Sequence, residues 1–268
     1  MTATFIERLH RASLGPRVLT AMVGIPLVSL VLWAGGVWWA GLTGAIALLG
    51  WLEFVHLHAL GTARRLVVLA VMIGVFAVMT WGDDWQVDLL LLVWALVIAS
   101  AVISVVWRRL NAAMLGPVYL GAPMALLARW RSELTPWSIL AFLLVIWAND
   151  TAAYFVGLAA GRHKMAPRIS PGKSWEGAAA GAAAGGLAGG LTASMLGVTP
   201  GEAVLFGLLT TIASQIGDLF ESAMKRKAGL KDSGAFLPGH GGILDRFDGI
   251  LIAAPIAYVL VRLWSTSP

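Results

Sequence analysis

Long apolar segments recur along almost the whole chain, and they limit the fold more than any other feature of the sequence. A helix needs about 20 mostly apolar residues to cross a bilayer. The nine segments that meet this description span residues 18–35, 37–59, 66–82, 87–107, 112–128, 136–160, 177–197, 201–224 and 243–264. Because they are too long and continuous for barrel strands, they predict an all-α polytopic integral membrane protein with about nine transmembrane helices.

The composition favours the same conclusion, because only 12% of the 268 residues are charged and 59% are hydrophobic. A soluble domain carries roughly twice that charged fraction, so the excess apolar surface has to face lipid. The chain has no cysteine, which excludes a disulfide framework and a cysteine metal site. The net charge of +5 comes without a long basic arm or an aromatic–basic array, so we expect anionic partners, membrane lipids and no nucleic acid.

The distribution of basic residues predicts that the N-terminus is cytoplasmic. With that orientation, every Lys and Arg except Arg129, Arg131 and Arg262 falls on the cytoplasmic side, and the acidic cluster at 83–88 falls on the opposite side. This asymmetry follows the positive-inside rule. The first apolar segment lacks a small-residue cleavage site after a short apolar core, and we interpret it as a retained helix and not as a signal peptide.

The polar residues are distributed unevenly, which predicts one membrane domain over residues 1–268 with two different halves. Residues 1–130 carry little obvious chemistry and are interpreted mainly as scaffold helices. Residues 136–264 are interpreted as the catalytic half, because the cytoplasmic loops 161–176 and 225–242 are polar, basic and glycine-containing.

Several conspicuous residues are interpreted as structural. Glu53, His56 and His58 are isolated in the scaffold half, and we assign them no catalytic role. Glycine recurs at every fourth position from Gly177 to Gly189. This spacing predicts a small-residue face for close helix packing, either within the protomer or at a dimer interface.

A carboxylate near the cytoplasmic end of the predicted 201–224 helix is the first candidate for chemistry. On a helix, Asp218 shares one face with Ser214, Ser222 and Lys225. A charged residue in a spanning segment is costly and usually faces the bundle interior or a wet cavity. Asp218 is therefore either half of a structural ion pair with Lys225 or a ligand in a polar site.

Two more carboxylates open the predicted last helix. Asp245 and Asp248 are three residues apart and can share a helix face, where capping is the simplest explanation. The preceding His240-Gly241-Gly242 favours a ligand site, because glycines let the backbone approach a ligand and present N–H groups to phosphate. Carboxylates from two helices could then hold Mg²⁺, with phosphates completing its shell. His240 would either bind a phosphate or shape the turn.

Basic residues beside these carboxylates suit phosphate binding. Lys225, Arg226 and Lys231 can neutralise phosphate groups, Arg through its planar fork and Lys as a point charge. Arg246 lies between the two carboxylates of the last helix. The alternative explanation is the positive-inside bias, to which we assign Lys227.

The segment SPGKSWEG at 170–177 looks like the end of a P-loop but does not fulfil that motif. The required first glycine would fall at Pro167, and no strand is predicted before it. Lys173, the Ser174 hydroxyl and the backbone at the start of the next helix still predict an anion site.

Two polar residues interrupt the sixth apolar segment. Asn149 and Asp150 stand in the run WANDTAAYFVG, inside a helix that is otherwise apolar. They indicate that polar chemistry reaches into the bundle, and a helix-packing hydrogen bond is the alternative.

Taken together, these motifs resemble those of one family. The stretch from Ser222 to Asp248 resembles the 27-residue signature of phosphatidate cytidylyltransferases, also called CDP-diacylglycerol synthases. The runs that begin at Asn149 and Ser170, and the position of Asp218 ahead of the signature, are similar to that family too. The matching signature positions are Ser222, Lys225, Arg226, Lys231, Asp232, Gly234, Leu237, Pro238, His240, Gly241, Gly242, Asp245, Arg246 and Asp248.

The resemblance implies an enzyme of phospholipid biosynthesis that transfers a cytidylyl group from CTP to phosphatidate, giving CDP-diacylglycerol and pyrophosphate. It also implies an integral protein of the bacterial cytoplasmic (inner) membrane, an active site that faces the cytoplasm, and a homodimer. The implied cofactor is Mg²⁺, alone or with a second cation that can be monovalent. No covalent intermediate is needed, because the phosphatidate phosphate is itself a nucleophile that can attack the α-phosphorus of CTP in line.

The resemblance assigns roles to the candidate residues. Asp218, Asp245 and Asp248 are the predicted metal ligands, and they are predicted to be catalytic together with Lys225 and Arg226. The predicted substrate-binding residues are Asn149, Asp150, Ser170, Lys173, Ser174, Ser222, Lys231, His240, Gly241, Gly242 and Arg246.

Two other functions compete with this one. The motif of a CDP-alcohol phosphatidyltransferase begins with two Asp three apart, which Asp245 and Asp248 imitate, but that motif requires a further Asp and none follows Asp248. An ion-coupled transporter would explain Asp150 and Asp218 within the membrane, but it would not explain loops suited to phosphate.

Overall fold

The structure, a computed structural model, describes residues 14–57, 61–106, 116–234 and 241–265. The N-terminal half contains helices α1 (Leu14–Ala34), α2 (Gly36–Leu57), α3 (Thr62–Trp81) and α4 (Asp84–Val106), a π-helical turn (Pro117–Gly121) and helix α5 (Ala122–Glu133). The C-terminal half contains α6 (Pro136–Ala160), strands β1 (Lys164–Ala166) and β2 (Ser170–Ser174), and helices α7 (Trp175–Leu191), α8 (Ala193–Leu196), α9 (Pro200–Lys227) and α10 (Leu244–Ser265).

Helices lie at each of the predicted apolar segments, and the protein is a helical integral membrane protein. Helices α2, α6, α9 and α10 are long and apolar enough to cross a bilayer. The total of about nine crossings and the cytoplasmic N-terminus stay predictions. The predicted 112–128 helix is described only from residue 116, where a π-helical turn precedes α5. Pro117 and Pro123 explain this irregular start, because proline has no N–H to donate.

Local sequence signals account for the start of α9. Thr199 is its N-cap, and Pro200 occupies the first helical position. The Thr199 hydroxyl accepts the backbone N–H of Glu202, whose carboxylate accepts the backbone N–H of Thr199 at 2.8 Å. This reciprocal capping box satisfies donors that a helix start would otherwise leave unpaired. Gly197, in the left-handed region at φ 70°, ends α8 just before it.

The glycine face of α7 packs within the protomer. Gly181 lies against side chains of both α6 and α9, and Gly189 lies against the α9 backbone at Ala203 and Gly207. A side chain at either position would collide with these neighbours, so glycine lets α7 fit between α6 and α9. Of the two alternatives predicted from the spacing, the structure shows close packing inside one chain.

Helix α5 joins the two halves. Its residues from Ala122 to Trp130 are all buried, and the helix contacts α2 and α3 of the N-terminal half and α10 of the C-terminal half. Trp130 packs against Phe142 and Tyr258 and donates its indole N–H to Ser138 at 2.8 Å. The hydrogen bond satisfies the one polar atom of a fully buried ring.

A short antiparallel hairpin replaces part of the loop predicted at 161–176, so the fold is not purely helical. Strand β1 pairs with β2 in the register Lys164 with Ser174 and Ala166 with Ser170. The backbone N–H of Trp175 donates to the carbonyl of His163 at 2.9 Å and continues the pairing into α7. Strands of three and five residues without apolar alternation leave no periodic signal in the sequence.

Candidate active site

A cavity of about 810 Å³ lies where α6, β2, α7, α9 and α10 meet. Polar residues from α6, β2, α9 and α10 line it, next to small residues of α7 and apolar residues of α6. The predicted site residues among them are Asn149, Asp150, Lys173, Ser174, Asp218, Lys225, Asp245, Arg246 and Asp248. The structure thus brings together residues that are up to 99 positions apart in the sequence, counted from Asn149 to Asp248.

Glycines allow the two helices that carry the carboxylates to approach closely. A Cβ on Gly217 would lie 2.5 Å from the carbonyl oxygen of Asp248, and Gly249 lies directly against the side chain of Ser214. The contact places Asp218 of α9 beside Asp248 of α10. Asp218 interacts electrostatically with both Asp150 and Asp248, so the cavity concentrates negative charge.

The side chain of Lys173, at the end of β2, forms an ion pair with Asp218 of α9. Both residues are partly exposed to the cavity. The structural alternative predicted for Asp218, an ion pair with Lys225, is therefore wrong. The hairpin explains why, because it brings β2 against α9 and has no periodic signal in the sequence.

Lys225 is held by two carboxylates. Its ammonium lies 2.5 Å from Glu221 and 2.5 Å from Asp245. The three side chains are almost fully buried, with 11%, 1% and 6% of the side chain exposed for Lys225, Glu221 and Asp245. A buried charge is costly unless it is paired and hydrogen-bonded, so this arrangement fixes the direction in which each group points.

Asp245 also organises the backbone that precedes it. One oxygen accepts the N–H of Gly242 at 2.8 Å and that of Ser233 at 3.0 Å, while the other faces Lys225. Gly241 has φ of 79°, and a Cβ there would lie 2.7 Å from the Asp245 carboxylate. Asp245 thus binds N–H groups of residues ahead of α10 and not the free N–H groups of the helix itself, as the predicted capping role would require. The N–H of Gly242, which the sequence suggested for phosphate, already has a protein acceptor.

Amide side chains connect α6 to α9 at the wall of the cavity. Gln215 donates to the Asn149 carbonyl oxygen at 2.9 Å and to the backbone of Ala178 at 3.0 Å. Asn149 in turn donates to Asp150 at 2.9 Å. The helix-packing hydrogen bond considered for Asn149 is formed, and Asn149 and Asp150 still line the cavity.

The start of α7 is fixed by its own side chains. The buried Ser174 hydroxyl accepts the N–H of Gly177 at 3.2 Å and caps the helix. Glu176 accepts hydrogen bonds from the backbone N–H and the ring Nδ1 of His163. Hydrogen bonds from its own backbone N–H, and then those from His163, lower the pKa of Glu176 to about 2, so this carboxylate stays ionised at neutral pH.

Some predicted site residues lie outside the cavity. Arg226 donates to the backbone carbonyls of Ile169 at 3.1 Å and Leu230 at 3.2 Å, and so it ties the hairpin to the end of α9. His240 lies outside the described residues. The other predicted residues that do not line the cavity are Ser170, Ser222, Lys231, Gly241 and Gly242.

The structure adds residues that the sequence interpretation missed. Gln215 and Asp232 line the cavity, Glu221 holds Lys225, and Glu53 contacts the loop before α10. A signal existed for Glu53 and Glu221, because an acidic residue inside an apolar helix needs a partner. Asp232 stood among the matching signature positions without an assigned role, and Gln215 had no comparable signal.

The donor set of the cavity fits a divalent cation only with help from substrate. No group of three or more His, Cys, Asp or Glu side chains within residues 14–57, 61–106, 116–234 and 241–265 has the arrangement of a metal centre. Mg²⁺, however, is usually bound by one or two carboxylates together with substrate phosphates. Asp218 and Asp248 supply such a pair, whereas the Asp245 carboxylate is already bound by Lys225, Ser233 and Gly242.

Sequence comparison identifies the family. A sequence model for the cytidylyltransferase family matches residues 15–264. The chain belongs to the cytidylyltransferase family. A phosphatidate cytidylyltransferase of Brucella suis biovar 1 is 38% identical to it over 257 residues, which cover 92% of this chain and 93% of the relative. One of Mycobacterium bovis is 42% identical over 126 residues, or 47% of this chain and 41% of the relative. The resemblance inferred from the signature is confirmed, and the protein is an enzyme of this family.

Proposed function

We propose that this enzyme transfers the cytidylyl group of CTP to phosphatidate and releases CDP-diacylglycerol and pyrophosphate. The observation that carries the proposal is a cavity between the helices in which Lys173, Asp218, Arg246 and Asp248 stand together. This reaction needs basic side chains that bind phosphate groups and carboxylates that bind a metal ion. The names of the relatives support the same substrates, and they favour this activity over a CDP-alcohol phosphatidyltransferase or an ion-coupled transporter.

The reaction requires positioning and charge neutralisation more than covalent chemistry. A phosphate oxygen of phosphatidate attacks the α-phosphorus of CTP, the new P–O bond forms, and the bond from that phosphorus to the β-phosphate oxygen breaks. Lys173 of β2 and Arg246 of α10 both line the cavity and would bind phosphate oxygens. Triphosphate oxygens would compete with Asp218 for the Lys173 ammonium.

A bound Mg²⁺ would supply charge neutralisation at the phosphates and help to orient them. Asp218 and Asp248 are the carboxylates that we propose as its ligands. Asp245 would contribute indirectly, because it orients Lys225. The number of cations, and the monovalent character of a second one, stay predictions.

The position of the cavity suits a lipid substrate. Apolar residues of α6, namely Ile146, Ala153 and Leu158, line one wall, so acyl chains can stay in the bilayer while the headgroup reaches the basic residues. We propose that phosphatidate enters sideways from the cytoplasmic leaflet of the inner membrane, where aqueous CTP is available. A homodimer, implied by the resemblance, stays a prediction.

Purified enzyme in nanodiscs, supplied with labelled CTP, phosphatidate and Mg²⁺, tests the proposal. We expect label in the lipid fraction and loss of this product with EDTA. Asp218→Asn should lower turnover about a hundredfold or more, a size typical when a group that organises transition-state charge is removed, whereas the exposed Asp83→Asn serves as a matched control with normal turnover. Absence of labelled lipid from the wild type would contradict the proposal.

The nucleotide role of Lys173 has a separate test. Lys173→Ala should raise the KM for CTP or lower kcat by about tenfold, because a charge-assisted contact to phosphate is lost. The KM for phosphatidate, measured in the same preparation, shows whether the effect belongs to the nucleotide. If kcat and the KM for CTP stay unchanged, Lys173 does not bind the nucleotide, and the positive-inside bias alone explains its position.

A further inference from the structure

Glu53 of the scaffold half is bound to the catalytic half. It lies near the end of α2, only 9% of its surface is exposed, and its carboxylate meets the segment that opens α10. One oxygen accepts the N–H of Ile243 at 2.8 Å, and the other accepts the N–H of Leu244 at 2.8 Å and the hydroxyl of Ser233 at 3.0 Å. The sequence interpretation gave this residue no role.

These contacts explain why a carboxylate is buried there. Ile243 and Leu244 stand at the start of α10, where backbone N–H groups lack partners within the helix and the helix dipole is positive. A carboxylate without hydrogen bonds would be strongly destabilised at this depth, and here three donors stabilise it. Glu53 therefore caps α10 from another helix, although 191 positions separate it from Leu244.

The fit around Glu53 is tight enough to constrain the chain on both sides of the loop. A Cβ on Gly234 would lie 2.6 Å from a Glu53 oxygen, and Gly242 is in similarly close contact with Glu53 and Ser233. Ser233 and Gly242 are also the residues whose N–H groups bind Asp245. Two carboxylates, Glu53 and Asp245, thus hold the same two segments, 233–234 and 241–244, together.

We propose that Glu53 is a positioning residue for cytidylyl transfer, which it serves by fixing the segments that orient Asp245 and, through Asp245, Lys225. This inference rests on the proposed function of the cavity. It also changes the interpretation of residues 1–130 as mainly scaffold, because Glu53 on a helix of that half binds the N–H groups at the start of α10.

The test compares wild type, Glu53→Gln, Ser233→Ala and His56→Ala in nanodiscs. Gln keeps the length of Glu but replaces one acceptor oxygen by a donor, which faces the backbone N–H of α10. His56 is an exposed residue one turn further along the same helix, and it is the matched control. Hydrogen–deuterium exchange of the 241–248 segment, kcat and both KM values are measured on protein that elutes as a folded monodisperse species.

We expect Glu53→Gln to speed exchange in the 241–248 segment and to lower kcat per folded molecule by about tenfold or more, while the KM for phosphatidate changes by less than about threefold. Ser233→Ala, which removes one donor, should shift exchange and kcat in the same direction by a smaller factor. His56→Ala should match wild type in all measurements.

The outcomes separate positioning from a merely structural role. A Glu53→Gln enzyme that melts earlier but turns over normally per folded molecule would overturn the inference. If Glu53→Gln does not fold, Ser233→Ala decides: faster exchange with lower kcat supports positioning, and normal kcat overturns it. If the wild type labels no lipid, the proposed function fails, whereas normal wild-type activity with unaltered variants defeats only the role of Glu53.

Discussion

Buried charge is the dominant feature at the residue scale. Lys225 pairs with both Glu221 and Asp245 within the helical bundle, whereas backbone N–H groups and a hydroxyl stabilise Glu53. In both places the buried carboxylate is stabilised because its hydrogen-bond or ion-pair partner is held in position by the helices. A membrane interior enforces this pairing, since an unpaired charge has no water to solvate it.

Lys225 supports a prediction about stability as well as activity. Lys225→Met leaves Glu221 and Asp245 buried without their cation, and breaking one side of a buried pair typically costs about 3–5 kcal/mol. We expect a lower melting temperature in detergent together with loss of turnover.

The matched control is Lys227→Met, two residues further along the same helix and exposed. It should change neither the melting temperature nor turnover. A Lys225→Met protein that is as stable as wild type would show that the two carboxylates find other partners or become protonated.

Close approach of helices is the main theme at the element scale. Helix α7 enters between α6 and α9 through its glycine face, and α9 meets α10 at Gly217 and Gly249. The same contacts that pack the helices align Asn149, Asp218 and Asp248 around one cavity. Packing and site geometry therefore depend on the same small residues.

A methyl group on the glycine face of α7 should disturb both the helix packing and the geometry of the site. Gly189→Ala places its Cβ against backbone atoms of Ala203 and Gly207, which cannot rotate away as a side chain would, and overpacking of this kind costs about 1–3 kcal/mol. We expect a lower melting temperature and reduced turnover, measured by thermal unfolding and lipid labelling.

Gly74→Ala provides the comparison, because Gly74 lies in α3 with no atom within 4 Å of an added Cβ. This change should be neutral or slightly stabilising, since alanine is the better helix former. Equal behaviour of the two variants would mean that the α7 face tolerates larger residues.

At the scale of the whole molecule, polar networks occupy both ends of α10. The cavity lies at its start, whereas Arg262 near its end binds Asp88 at 2.8 Å. Arg129 joins the second network through Asp84 and Glu133, each at 2.5 Å. Helical rise separates Asp245 from Arg262 by about 25 Å. Two of the three arginines that the charge pattern assigned to the outer side, Arg129 and Arg262, thus belong to the network away from the cavity.

This distant network should contribute to stability without affecting the chemistry. Arg129→Met removes the partner of two carboxylates, and we expect a lower melting temperature while turnover per folded molecule and both KM values stay normal. Thermal unfolding and lipid labelling on the same preparation check this. A selective change in the KM for CTP would instead indicate coupling between the two ends.

The sequence by itself determined the membrane character, the positions of the helices and the family. Each of these depends on local information: runs of apolar residues, and a signature of closely spaced fixed residues. It also identified Asp218, Asp245, Asp248 and Lys173 as chemically important, because charge near apolar segments is conspicuous.

Only the tertiary structure decided which charges meet. It paired Asp218 with Lys173 instead of Lys225, gave Lys225 to Glu221 and Asp245, and bound Glu53 to the start of α10. The physical reason is that the energy of an ion pair or a hydrogen bond depends on distance and direction across helices. These are set by close packing between elements far apart in the chain, which no local pattern encodes.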